Sequence, residues 1–441
     1  MNKQAVAIVC SVLVGSIIVP ASYADTTLKF SAPRNLSNDS GFSEFPEIAA
    51  SGSKVYVVWV GEGQNGWGTM FARSINDGSH FRPTRIFTEQ DISYFYPKVS
   101  ASGQHVYLAW LRSTAESAES LSIAFRASHN SGKSFDQIVH LQKKPNIDPG
   151  NHTFPFQTTL PPELASNGNH VYVAWNNAWN VYLRASHDNG VTFGPTRTIV
   201  AYDFEDFEPG EDQATGLKVA SFGNNVYVVW AGLLSGDIYL RASHDGGQSF
   251  GRIINLSHSP KGTFPESPEI AADGKNVYVT WMSIGPNGYR AMFAASSDAA
   301  RSFGEPLFLG NITPNSSVLP KLAADGDNVY VSWGGVSEVF FRASHDGGKT
   351  FAKLKQLEPR DGFVHFPQVL SAHGKVYVLW ILERDNFRYD AVVRVSDNQG
   401  SSFGPRTIAM RNLEDFWLVT AASHDSIHLA VGGLELTFAH S

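Results

Sequence analysis

Two clusters place arginine, tyrosine and carboxylate within a few residues of one another. They are Tyr289-Arg290 and the run from Glu383 to Asp390, which includes Arg388-Tyr389-Asp390. A guanidinium offers a planar, bidentate partner for a carboxylate. Arg290 and Arg388 are therefore candidate ligand contacts, and Arg388, Tyr389, Glu383 and Arg290 are the candidate catalytic residues. A third group is acidic, with Asp203, Glu205, Asp206, Glu208, Glu211 and Asp212 all between Tyr202 and Gln213. Hard cations take oxygen ligands, which makes Asp203, Glu205, Asp206 and Glu208 the candidate calcium ligands. Their spacing matches no calcium-loop motif, and a solvated acidic loop is the simpler reading. Trp67, Tyr94 and Trp179 offer flat faces for a sugar ring or a protein anchor and complete the candidate ligand-binding set.

The elements that carry these residues repeat. Val55-Tyr56-Val57-Val58-Trp59 recurs from Val106, Val171, Val226, Val277, Val329 and Val376, with a weaker copy at Ile427-His428-Leu429-Ala430-Val431. Successive copies start 51, 65, 55, 51, 52, 47 and 51 residues apart. β-branched and aromatic residues in so short a run read as a buried strand. A second element follows each strong copy, cleanest as Ser243-His244-Asp245-Gly246-Gly247-Gln248-Ser249-Phe250. An Asp or Asn accepting backbone N–H bonds, Gly at φ > 0 and a Phe anchor make this a hairpin. Ser296-Ser297-Asp298-Ala299-Ala300 lacks the glycine, so that turn is expected to be the least regular. With one strand before the pentapeptide and one after the hairpin, each unit has four strands, A to D, in about 50 residues, the signature of a β-propeller.

The hairpins resemble the Asp-box (BNR) repeat of sialidases and related propellers, S-x-D-x-G-x-x-W/F, here with Phe at the last position. The resemblance covers essentially all of residues 26–441 and implies a propeller whose boxes lie at the blade periphery, away from any catalytic centre. The sialidase members use an arginine triad, a Tyr–Glu pair and an Asp, with Arg-Ile-Pro near the N-terminus. This chain has no Arg-Ile-Pro; the corresponding Phe45-Pro46-Glu47-Ile48 carries no arginine. Arg126, Arg184, Arg241, Arg342 and Arg394 recur two residues before a box serine, and such periodicity marks a structural role. The arginines left for the opposite face are Arg290, Arg388, Arg112 and Arg384, expected in B–C loops that fix them poorly. The box histidines His129, His187, His244 and His345 belong to different blade edges and are read as turn residues rather than metal ligands. Phe45, Tyr96 and Phe366, each before a proline, are read as plugs between blades.

Two further readings concern the ring. Residues 28–37 match a D strand with no A, B or C strand before it, while the chain ends after an A, B and C strand. Eight blades follow, closed by residues 28–37 pairing with 434–440; a seven-bladed ring is the alternative. Eight residues before each pentapeptide stand Glu47, Lys98, Glu163, Lys218, Glu269, Lys321, Gln368 and Val419. Acid and base alternate over six blades, which predicts a belt of ion pairs around the axis.

Composition narrows the function. A formal net charge of -7 argues against a nucleic-acid binder. A single cysteine excludes a disulfide framework. Residues 1–24 read as a secretion signal: Lys3, an apolar run from Ala5 to Val19, and Ser22-Tyr23-Ala24 for cleavage. No other stretch is long and apolar enough to span a membrane. Asn-x-Ser/Thr sites at Asn35, Asn38, Asn151, Asn255, Asn311 and Asn315 are candidate glycosylation positions. The sequence therefore points to one all-β propeller over residues 25–441, secreted or on the cell surface, binding a glycan or protein through its loop-rich face. A sialidase-type or other glycoside hydrolase is the alternative.

Overall fold

The computed structural model describes residues 28–37, 42–63, 66–87, 92–114, 122–142, 161–176, 180–201, 214–286, 288–312, 319–358, 362–384, 387–414, 416–423, 426–433 and 435–441. Their strands form eight four-stranded antiparallel sheets. Blade 1 runs Ser43–Ser51, Lys54–Gly63, Gly66–Ser74 and Phe81–Phe87 as strands A to D. Blades 2 to 6 open with A strands Ile92–Ser102, Glu163–Asn167, Ala214–Phe222, Phe264–Asp273 and Lys321–Asp325. Blade 7 comprises Val364–Ala372, Lys375–Arg384, Arg388–Ser396 and Thr407–Leu413.

The pentapeptides are the B strands, and Val55 to Trp59 are all fully buried. A blade is covered on both faces by its neighbours, so its second strand reads as a continuous apolar run rather than an alternating one. Tyr56, Val58 and Phe71 of blade 1 thus share one core with Val106, Leu108 and Trp110 of blade 2.

Blade 8 takes three strands from the C-terminus, Trp417–Ala422, Ile427–Gly432 and Thr437–His440, and its fourth, Arg34–Asn35, from the other end of the chain. Arg34 pairs with Phe438 and Asn35 with Thr437. Flanking bonds extend the seam: Leu36 N donates to Leu436 O and Ser31 N to His440 O, both at 2.8 Å. The eight-bladed closure expected from the sequence is what forms. Spreading it over both termini gives blade 8 its fourth strand, so its C strand Thr437–His440 is not left as an open edge.

Each C–D hairpin is a small hydrogen-bond cage. In blade 4, Ser243 Oγ donates to Asp245 Oδ1 (2.7 Å) and accepts from Gly247 N (2.8 Å), while Ser249 N donates to the same carboxylate (2.9 Å). In blade 6, side-chain and backbone hydrogen bonds from Thr350 hold Asp346 down to about 2. The closing phenylalanine packs edge-on against a C-strand ring of the preceding blade, as Phe135 on Phe71 (5.0 Å) and Phe193 on Phe125 (4.8 Å). Phe81 on Phe438 (4.6 Å) does the same across the closure. Three of the five periodic arginines serve this cage. Arg126, Arg184 and Arg241 donate Nε to the carbonyls of Asp136, Gly194 and Gly251 at 2.6–2.8 Å. Arg241 also donates to Ile199 O of the neighbouring blade (2.5 Å).

The glycine-free hairpin corrects the expectation of irregularity. Ser296, Asp298 and Ser302 make the same cage, with Ala300 N to Ser296 Oγ at 2.9 Å and Ser302 N to Asp298 Oδ1 at 3.0 Å. The cage imposes its geometry, and the alanines adopt it at φ 61° and 60°. A side chain in that region costs on the order of 1 kcal/mol. Ala299→Gly should therefore raise unfolding stability by about 0.5 kcal/mol, after the added freedom of the unfolded chain is subtracted. An unchanged or lower denaturation midpoint would show that the alanine carries no strain.

Candidate functional site

The A strands begin and the B strands end on one side of the ring; boxes and A–B turns occupy the other. On the first side the axis opens into a cavity of about 510 Å³. Two tiers of A-strand residues line it, because one A strand from every blade faces the axis.

The inner tier is the charged column. Lys98 pairs with Glu47 and reaches Glu163 at 3.7 Å; Lys218 binds Glu163 at 3.0 Å; Lys321 pairs with Glu269. These side chains are 16–32% exposed. Burial alone would discharge Lys98, yet Glu163 and Glu47 outweigh it and raise its pKa. Burial likewise opposes the charge on Glu269, and Lys321 and Lys218 lower its pKa below the usual carboxylate range. The ion-pair belt expected from alternation forms in two runs, Glu47–Lys98–Glu163–Lys218 and Glu269–Lys321. It is interrupted at blades 7 and 8, where Gln368 and Val419 hold the equivalent positions and also line the cavity.

The outer tier stands two residues earlier: Phe45, Tyr96, Pro161, Gly216, Ser267, Leu319, Phe366 and Trp417. The reading as interblade plugs holds for Tyr96, which packs on the core shared by blades 2 and 3, and for Phe366, on that shared by blades 7 and 8, but these rings together with Phe45 also face the axis. Ring closure sets blades 7, 8, 1 and 2 in order, and their aromatics form one arc. Centroids lie 5.3 Å apart for Phe366–Trp417, 6.0 Å for Trp417–Phe45 and 4.3 Å for Phe45–Tyr96. All four line the cavity, and Trp417 is 42% exposed. Pro161, Gly216, Ser267 and Leu319 hold the equivalent positions in blades 3 to 6, and of these Pro161 and Leu319 line the cavity. At this tier the A strand bulges, shifting register between Glu44 and Glu47, Phe95 and Lys98, and His365 and Gln368. Phe45, Tyr96 and Phe366 consequently sit at φ 51°, 50° and 47°.

The arginine–tyrosine candidates lie off the axis. Arg290, Arg384, Arg388 and Arg112 stand within strands rather than the loops expected, because the B–C hairpins extend their ladders: Arg384 pairs with Arg388, Arg290 with Ser283 and Arg112 with Ser122. Arg388 is bonded to Glu414 (2.6 Å), Arg384 to the buried Asp390 (3.2 Å), and Arg290 lies over the Phe308 ring at 5.4 Å. Glu383 and Tyr389 are direct cross-strand partners. Glu383 Oε2 lies 2.9 Å from His365 Nε2, and Tyr389, only 7% exposed, packs against Phe416 at 5.2 Å. None of Arg290, Glu383, Arg388, Tyr389 and Trp67 lines the axial cavity. Trp67 is 38% exposed at the start of the blade 1 C strand. Tyr94 lies on the blade 2 A strand, its side chain outside the described set. Trp179 and the acidic candidates Asp203, Glu205, Asp206 and Glu208 lie outside the described residues.

The box histidines do meet partners, each within its own blade. His129 and His105 approach through Nδ1 at 3.0 Å, and His187 and His170 at 2.7 Å; in blades 4 and 6 an asparagine, Asn225 or Asn328, takes the second place. This is a repeated hydrogen bond. Among the described residues no group of three His, Cys, Asp or Glu is placed to hold a metal ion. Among them, too, no helix is long and apolar enough to cross a membrane.

No family model matches this chain, and no curated protein sequence matches it. Solved structures of similar architecture include an endosialidase of phage phi92, at 10% identity and TM-score 0.41, covering 80% of this chain and 64% of that one. A polysaccharide lyase has 10% identity and TM-score 0.47, with 77% and 86% coverage. A sialidase of Trypanosoma rangeli has 11% identity and TM-score 0.40, with 80% and 54% coverage. The chain thus spans less than two thirds of the phage enzyme and of the trypanosomal one, and at these identities the likeness concerns the propeller fold alone.

Proposed function

We propose that this is an exported propeller of the Asp-box type that binds a glycan or protein ligand at the cell surface through the A-start face, without sialidase turnover. One observation carries the reading. Among the described residues, eight of the thirteen exposed large apolar side chains, Phe42, Trp67, Leu233, Leu234, Phe264, Phe363, Phe387 and Trp417, 38–78% accessible, stand at A-strand starts or B–C turns, whereas Ile75, Val191, Phe222, Phe308 and Leu354 do not. Exposed apolar groups gathered on one face mark an interaction surface. The signal-like sequence of residues 1–24 supports export, and the formal net charge of -7 supports a partner other than nucleic acid.

A carboxylate-directed hydrolase would hold several guanidinium groups ready around one point. Here Arg384 and Arg388 are committed to Asp390 and Glu414, and both stand away from the axis. The juxtaposition of Glu383 and Tyr389 favours a second reading, an off-axis hydrolase in blade 7. Burial of Tyr389 beneath Phe416 weighs against it, because a nucleophile must be reached by its substrate.

One experiment separates the two. The protein is expected to release no fluorophore from a fluorogenic sialoside above the uncatalysed rate, and to bind on a glycan array or to whole cells. Arg388→Ala combined with Tyr389→Phe should leave that binding within about twofold, since Arg388 sits in an exposed ion pair that contributes roughly 0–1 kcal/mol. Turnover by the unaltered protein that the double variant abolishes would establish the hydrolase instead.

A further inference from the structure

We infer that the axial cavity is the ligand site and that it takes an uncharged pyranose ring, stacked on the Phe366–Trp417–Phe45–Tyr96 arc with its hydroxyls directed to the Lys–Glu belt. The inference rests on the preceding reading that the ligand is a glycan, and it names the site and the sugar class.

Four features of the cavity carry it. The first is shape. Aromatic rings occupy one contiguous half of the outer tier, while the other half carries Pro161, Gly216, Ser267 and Leu319, so the cavity has its flat aromatic wall on one side only. A flat apolar wall opposite a polar edge suits a pyranose, whose C–H faces are apolar and whose rim carries hydroxyls. The second is charge. Each lysine is matched by a glutamate, so the belt offers fixed donors and acceptors but no net pull on a carboxylate. A hydroxyl both donates and accepts and can use neighbouring Lys and Glu together. The third is the strained backbone. Blades 4 and 5 make the same left-handed bulge with Gly216 (φ 60°) and Ser267 (φ 54°), so the bulge has no need of an aromatic. Holding Phe45, Tyr96 and Phe366 there is costly, and retained strain of this kind concentrates where ligands bind. The fourth is the gap in the belt. Gln368 and Val419 follow Phe366 and Trp417 by two residues and line the same cavity, so the belt positions of those two blades are uncharged.

The test uses lactose, cellobiose, maltose and chitobiose as neutral probes, with 3′-sialyllactose as the charged counterpart of lactose. Calorimetry measures affinity, and saturation-transfer NMR shows which sugar protons face the protein. The expected result is saturable binding of at least one neutral disaccharide, strongest saturation on its ring C–H protons, and no preference for sialyllactose over lactose. Phe45→Ser and Tyr96→Ser, which copy blade 5, should each weaken binding by about tenfold or more, with Trp417→Ala as a further variant outside the bulge. Thermal melts confirm that each variant folds. Undiminished affinity in folded arc variants overturns the assignment of the site. A tenfold preference for sialyllactose overturns the assignment of the sugar class. If no disaccharide binds, the inference fails even when array or cell binding through the same face upholds the broader reading; failure of array and cell binding as well removes both.

Discussion

Acidification from pH 7 to pH 4 is expected to remove about 3 kcal/mol of stability through one side chain, His428. His428 is fully buried in blade 8. Desolvation, with a smaller contribution from His440, lowers its pKa from 6.5 to about 3. Nε2 lies 2.8 Å from Ser423 Oγ, which in turn donates to Asp77 Oδ1 at 2.8 Å. The folded protein thus resists a proton that the unfolded chain accepts readily. Stability is complete above about pH 6.5 and declines with one proton of dependence toward pH 3, where the loss reaches about 4 kcal/mol. His105 and His170, lowered by burial and by their histidine partners, shift stability in the same direction. The box carboxylates add their own loss only below about pH 4, as protonation empties the cages. His428 stands where the other seven blades carry the pentapeptide tyrosine, so His428→Tyr is the natural control, with His428→Gln as a smaller alternative. Urea denaturation from pH 7 to pH 4 should give a flatter stability profile for these variants than for the parent. Parallel profiles would show that His428 is not the group responsible.

Lys218→Glu is expected to destabilise the protein by about 3 kcal/mol at pH 7, the lower end of the cost of breaking a buried pair, because the side chains keep some contact with water. Lys218 bonds to Glu163 at 3.0 Å and also feels Glu269, and these acids raise its pKa in spite of burial. The substitution puts three carboxylates on consecutive blades around a narrow axis. Lys218→Met removes the charge without adding repulsion and should cost clearly less. Protonating the carboxylates relieves the repulsion, so the difference between the Glu and Met variants should shrink by pH 4. An equal cost for both at pH 7 would mean that the belt acts through packing rather than charge.

Much of the architecture could be read along the chain, for specific reasons. Strand B of every blade is buried on both faces, so Val-Tyr-Val-Val-Trp survives as a continuous signal at a readable period. The D-like segment before blade 1 and the missing D strand after residue 440 are complementary remainders, which gave the closure. The Glu–Lys alternation was visible because one position per repeat faces the axis. The periodic arginines were legible as structural for the same reason.

The site was less legible, because its residues are neighbours only after the ring has closed. Phe366, Trp417, Phe45 and Tyr96 come from both ends of the chain, and nothing local in the sequence announces that they form one arc. A column-by-column reading two residues before the belt would have shown four successive aromatics on blades 7, 8, 1 and 2. The B–C ladders reach far enough to turn supposed loop arginines into strand residues, which a short run of polar residues does not announce. The cage geometry likewise carried two alanines into a conformation that their type disfavours. The sequence by itself determined the blade count, the register and the charge column, because each repeats at a fixed period and needs only local pairing. The tertiary structure decided that the aromatics of blades 7 and 8 meet those of blades 1 and 2 around the axis, because that depends on where the two ends of the ring meet.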